Sequence, residues 1–312
     1  MRRVAAIVVA ALVLVTPAFA GSRPAPRWKT LAAMTEPRHE GAYAVAGGKV
    51  YAVGGFVVSL TNSVSVDVYD PKADRWSAGP PIPSAVNHAM SAALGDDVYV
   101  AGGYSAVVFG AVNTAFVLRD GTWLPIAPMP ETRAAGAMVA YGGKLWIYGG
   151  FTQQGVLATT ALVYDPKTGL WSTGQGLPTP REHLTAVTDG RSVWALGGRN
   201  GSPDTNTALV ERLDVPTGRW YRVPGLLQTR SGHVSALTST GFLVSAGGEH
   251  AGGVFDSVEA YDTRTGRRLR LPRLAPGRTG FGGVALGSRF LVFSGAGDAG
   301  YLAATEALDL RR

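Results

Sequence analysis

From residue 42 onward the apolar positions come in short runs broken at regular intervals by turn-forming residues. Residues 42–46, 49–53, 63–69 and 75–78 are rich in Val, Tyr and Ala, and are separated by Gly47 with Gly48 and by the segment 71–74 (PKAD). Short β-prone runs bounded by Gly, Pro and Asp read as strands joined by tight turns. Four such strands in succession predict one twisted antiparallel sheet. A sheet of this size cannot bury both faces alone, so it needs neighbours of the same kind.

The neighbours are in the chain. Paired glycines behind an apolar run occur as YAVGG at 51–55, YVAGG at 99–103, WIYGG at 146–150, WALGG at 194–198 and LVSAGG at 243–248, with a degenerate LVFSG at 291–295. Successive copies are 48, 47, 48, 50 and 47 residues apart. Trp28, Trp76, Trp123, Trp171 and Trp220 repeat independently at steps of 48, 47, 48 and 49 residues. A third marker, an aromatic or aliphatic residue followed by aspartate, lies between them at Tyr69–Asp70, Tyr164–Asp165, Leu213–Asp214, Tyr261–Asp262 and Leu308–Asp309, with Asp120 alone in the shortened second copy.

Paired glycines, then Tyr-Asp, then Trp, at a period near fifty residues, resemble the kelch motif over essentially all of the chain beyond its first twenty residues. The resemblance implies an all-β, six-bladed propeller of four-stranded antiparallel blades. The glycine pairs end the second strand of each blade, where backbones crowd the centre. The tryptophans fall on the outermost strand and are expected to wedge between blades. Blade limits follow at about 38–82, 86–129, 133–178, 181–226, 230–274 and 278–310. The last copy lacks an outer strand, whereas the segment 26–34 around Trp28 matches one. The last blade is therefore expected to be closed by the N-terminal strand.

Composition narrows the chemistry. The chain has 312 residues with 42 glycines, 19 prolines and no cysteine, which excludes disulfides, thiolate metal sites and cysteine nucleophiles. It also excludes the cysteine-linked copper-radical chemistry found in some secreted kelch propellers. Arg2 and Arg3, the apolar run Val4 to Val15 and Ala18 to Ala20 have the pattern of a cleavable leader over residues 1–20, so that 21–312 is expected as a single domain, secreted or periplasmic, with no membrane span after cleavage. Removing two arginines lowers the formal charge from +7 to +5. The cations are spread singly, which argues against a nucleic-acid partner.

Candidate site residues lie at the starts of the innermost strands and in the loops joining second to third strands, the face on which the resemblance implies ligand binding. Arg38, Arg133, Arg181, Arg230 and Arg278 recur at 16 or 17 residues before the glycine marker, with Val86 in the sixth place. Five arginines at a channel mouth would attract an anionic ligand, such as a carboxylated sugar or an acidic peptide. The same arginines could instead bond carbonyls of a neighbouring blade. Two residues further on stand Glu40, His88 and His183. Glu182, His183, Glu249 and His250 are the candidate acid–base residues, with Asp298 in a further loop. No histidines sit at metal-ligand spacing, and Asp204 and Asn206 read as turn formers, so neither metal nor cofactor is expected.

Two function classes follow. One is a recognition module binding a protein, peptide or glycan. The other is a sugar enzyme, given the resemblance to bacterial kelch-type N-acetylneuraminate epimerases, which are secreted six-bladed propellers. Short loops dominated by Gly, Ser, Ala and Thr favour recognition over catalysis.

Overall fold

The computed structural model describes residues 25–105 and 110–312. The leader expected over residues 1–20 lies outside the described residues. Six four-stranded antiparallel sheets form the blades of a closed propeller. The first blade consists of Ala42–Ala46, Lys49–Val53, Val66–Asp70 and Arg75–Ala78, in that order from the axis outward. In the sixth, Gly282–Leu286, Arg289–Phe293 and Thr305–Asp309 are completed by Trp28–Leu31, with Trp28 opposite Leu308 and Leu31 opposite Thr305. Both ends of the chain thus share one blade, as the phase of the repeats requires. Among the described residues no helix is long and apolar enough to cross a membrane.

The markers that set the period also join the blades. Trp76, Trp123, Trp171 and Trp28 each donate their indole N–H to a carbonyl of the preceding blade: Ala32 at 3.1 Å, Pro80 at 2.8 Å, Ala127 at 2.7 Å and Pro272 at 2.9 Å. Each thereby buries an apolar ring between two sheets while satisfying its one polar group. In the fifth blade, where the aromatic is missing, Arg268 stands opposite Tyr261 in the tryptophan's register and donates to the Gly225 carbonyl of the preceding blade at 3.2 Å.

The glycine pair has an equally concrete cause. A Cβ on Gly54, which has φ +62°, would lie 2.6 Å from the carbonyl oxygen of Val86 in the next blade. The following Gly55 donates its N–H to that same oxygen at 2.8 Å. Gly103, Gly150, Gly198, Gly248 and Gly295 repeat the bond to Arg133, Arg181, Arg230, Arg278 and Arg38, so the last closes the circle. Ser294 replaces the first glycine of the sixth pair. Its hydroxyl donates to the Arg38 carbonyl at 2.9 Å and accepts from the Arg38 N–H at 2.7 Å.

Candidate functional site

The five arginines are not a ligand-facing ring. Arg38, Arg133, Arg181, Arg230 and Arg278 are all at most 2% exposed. Arg38 donates to the carbonyls of Gly54 (2.9 Å) and Ser65 (3.1 Å), and Arg230 repeats this with Gly247 (2.5 Å) and Ser257 (3.2 Å). Each guanidinium also meets a carboxylate: Asp67, Glu131, Glu211, Glu259 and Glu306 in order. Asp67, Glu211, Glu259 and Glu306 occupy one register position of the third strand, opposite Ala52, Ala195, Ser245 and Val292. Buried charge is tolerated when it is paired, and here each of the five guanidinium groups meets a carboxylate. The expectation that these arginines line the mouth is corrected accordingly. Arg38, Arg133, Arg181 and Arg230 stitch the second strand to the third and Arg278 holds Glu306 of the third, all of them buried.

What faces the axis is the position two residues later. Glu40, His88, Ala135, His183, Gly232 and Gly280 form a closed ring of backbone hydrogen bonds, each N–H donating to the carbonyl of the one before, with Glu40 N–H to Gly280 O at 2.7 Å completing it. All six have φ between +48° and +58°. Glycine takes this conformation freely, whereas Glu and His hold it at a cost of about 1 kcal/mol or more each. The second-to-third strand loops leave from beside this collar, since the N–H groups of Phe56, Tyr104, Phe151, Arg199, Glu249 and Ala296 bond to carbonyls one residue before it.

Inside the collar the side chains converge. His88 Nε2 lies 3.1 Å from His183 Nε2 and 3.6 Å from Glu40 Oε2. His183 Nδ1 abuts the fully buried Glu182 carboxylate. The other oxygen of Glu182 accepts from Arg199 Nε at 2.8 Å and from the Gly201 N–H at 3.1 Å. Arg199 also pairs with Glu249 and thus bridges two of the predicted acidic residues. Burial raises the Glu40 carboxyl, but His88, His39, His183 and Arg199 pull it down to about 2, so it is an anion at neutral pH. Burial drives the His88 and His183 imidazoles below their ordinary value, His183 furthest. The collar residues Glu40, His88 and His183 line an axial cavity of about 190 Å³, with Tyr43, Met138 and His233 also among its walls.

Of the acid–base candidates, Glu182, His183 and Glu249 are brought together and His250 is not. His250 is exposed, sits on the two-residue strand Glu249–His250 and packs against Phe255 at 4.6 Å between ring centroids. Asp298 is exposed as well. Sequence reasoning missed Arg199, His39 and Asn87. It also set metal chemistry aside because histidine spacing was judged along the chain, whereas His88 and His183 meet across the ring from different blades. The signal available was that both stand at the same place in the repeat.

Comparison with known proteins agrees with this architecture. The KLHDC2/KLHL20/DRC7 Kelch-repeats domain matches residues 87–295 and the Kelch motif matches residues 37–83. Kelch-like protein 35 of Mus musculus is 30% identical over 66% of this chain and 35% of its own length. Kelch-like protein terF of Aspergillus terreus is 27% identical over 72% of this chain and 53% of its own, and Beta-scruin of Limulus polyphemus 27% over 69% and 25%. The chain therefore spans between a quarter and about half of the length of these relatives. The solved structure of YjhT superposes with a TM-score of 0.76 at 19% identity, covering 89% of this chain and 96% of that one, which shows a shared fold. With six phased repeats, matching motifs and a ring closed by its own N-terminal strand, the chain belongs to the kelch-repeat family of β-propellers.

Proposed function

We propose that this propeller is a recognition module whose partner, a protein or peptide, docks on the face where the second-to-third strand loops surround the collar. The leader pattern of residues 1–20 supports a module working outside the cytoplasm. Kelch repeats are in general protein-interaction modules, which supports the class of partner. The carrying observation is the placement of exposed apolar side chains. Val58, Leu60 and Val156 are 65%, 62% and 60% exposed and belong to loops of this face, three of the seven large apolar side chains exposed among the described residues. Leu60 is moreover held at φ +57°. Apolar tips around a polar centre suit an interface with a desolvated contact zone and a charged middle.

The cavity size bears on the alternative, a mutarotase for a carboxylated sugar. About 190 Å³ is below the roughly 300–1,000 Å³ of sites that enclose drug-sized ligands. With the five arginines occupied, the anionic sugar also loses the carboxylate clamp once assigned to them. The test is selection of a displayed random-peptide library on the purified protein, followed by titration of the enriched peptides. Wild type should bind them at least ten times more tightly than a Val58→Ser, Leu60→Ser, Val156→Ser variant. Equal binding by the two proteins, or no enrichment at all, overturns the proposal. Accelerated anomer exchange of N-acetylneuraminate by wild type, seen by NMR and lost in His183→Ala, would replace it with the enzyme reading.

A further inference from the structure

The collar holds three acceptors with nothing to donate between them. His88 Nδ1 abuts Asn87 Oδ1, and the orientation of that amide is set on its other side, where Asn87 Nδ2 donates to Asn62 Oδ1 at 2.7 Å. His88 therefore carries its proton on Nδ1. His183 Nδ1 abuts Glu182, whose second oxygen is committed to Arg199 and Gly201, so the remaining carboxylate oxygen is placed to accept a proton held on His183 Nδ1. Both Nε2 atoms then direct lone pairs at each other across 3.1 Å, with a Glu40 oxygen 3.6 Å from one of them. Three lone-pair donors facing one point repel one another unless a cation stands between them.

We propose that Glu40, His88 and His183 bind a divalent transition-metal ion on the propeller axis, with zinc the best match to two imidazoles and a carboxylate. The donor atoms of the three residues all lie within 4.8 Å of one another. Zinc with bonds of about 2.0–2.1 Å in tetrahedral geometry places its ligands about 3.3 Å apart, between the two separations found here. Asn87 and Glu182 are the outer-shell partners that ligating histidines use to fix tautomer and ring orientation. Ala135, Gly232 and Gly280, the other three collar positions, bring no ligand, so one coordination position is left for a group entering along the axis. His39 Nε2 lies 3.6 Å from the second Glu40 oxygen.

Backbone conformation adds an independent reason. Glycine fits the collar without strain and is used at Gly232 and Gly280, yet Glu40, His88 and His183 keep large side chains at φ 54°, 51° and 48°. Ala135 shares the conformation with a small side chain, whereas strain carried by three large polar side chains in one place is typical of functional sites. Asn62, Arg199 and Gly201 of the loops brace Asn87 and Glu182, so the site lies at the floor of the proposed docking face, while metal retention is read out independently of peptide binding.

The test uses protein purified without a histidine tag, stripped with chelator and re-equilibrated with zinc. One zinc per chain should remain after desalting, and cobalt in its place should give the intense visible absorption of a low-coordinate site. Zinc should raise the melting temperature of wild type. His183→Ala and Glu40→Gln should lose stoichiometric retention and the stabilisation, Glu182→Gln should weaken affinity about 10–100-fold, and His250→Ala should match wild type. Glu40→Gln keeps the shape of the side chain and so separates lost binding from lost folding. Retention no better in wild type than in Glu40→Gln overturns the proposal and leaves a proton shared between the two imidazoles.

Discussion

Two rings of residues, two positions apart in every blade, share a period and differ in everything else. The first, at Arg38, Arg133, Arg181, Arg230 and Arg278, repeats its residue type and is buried. The second, at Glu40, His88, Ala135, His183, Gly232 and Gly280, repeats its backbone and varies its side chains. The arginine solves a problem inside its own blade, tying the inner segment to carbonyls and a carboxylate of that blade, so five of the six blades carry their own. The collar side chains meet at the axis, where one site serves the whole ring. Repetition here marks what a blade requires, and departure from repetition marks what the assembled ring does once.

Removing one arginine should break the first ring most severely. Arg230→Met leaves the Glu259 carboxylate, now 3.0 Å from its guanidinium partner, buried without a counter-charge. A loss of about 3–5 kcal/mol is expected in denaturant unfolding, whereas His88→Gly in the collar should cost little or relieve strain. Comparable losses for the two variants would dissolve the distinction.

The second blade sharpens the comparison, because it has neither member of the pair. Val86 replaces the arginine, and Phe116, opposite Val100, holds the register position of Asp67. Val86→Arg alone should destabilise by about 3 kcal/mol through an uncompensated buried charge. Adding Phe116→Glu should return at least about 1 kcal/mol. Absence of any recovery in the double-mutant cycle would show that the pair is not portable between blades.

The smallest effect is expected one residue beyond the collar. His233 is buried with Nε2 3.2 Å from Thr185 Oγ1, and burial, then Arg230 and Arg181, hold its imidazole well below the ordinary value. The unfolded chain therefore binds a proton near pH 6.5 that the folded one refuses. Stability is full above that pH and falls as pH drops below it, by up to about 1.4 kcal/mol per pH unit from this group. His233→Leu should flatten the slope of melting temperature against pH between about 6.5 and 5, and an unaltered slope would remove His233 from the account.

How much was readable in advance differs between the same two rings. The arginine spacing was plain, but its direction was not. Whether a guanidinium points at solvent or at the carbonyls of Gly54 and Ser65 depends on a partner such as Asp67, which is 29 residues away and recognisable only once the strands are in register. Glu182 and Glu249 were readable as polar residues beside the mouth, yet Arg199, which ties them together, sat in the sequence as one arginine among 24. His250 was drawn in by its neighbour Glu249, and strand alternation turned it away.

By itself the sequence determined the architecture: blade number, strand order within a blade, the seats of the tryptophans and the closure by Trp28. Periodic patterns encode these because each depends on contacts that recur at a fixed separation along the chain. Only the tertiary structure decided which charges are buried and which side chains meet at the centre. Glu40, His88 and His183 are separated by 48 and 95 residues, and no local pattern connects them. Their contact exists because the closed ring brings the same position of three different blades to one axis, where a few ångströms decide the chemistry.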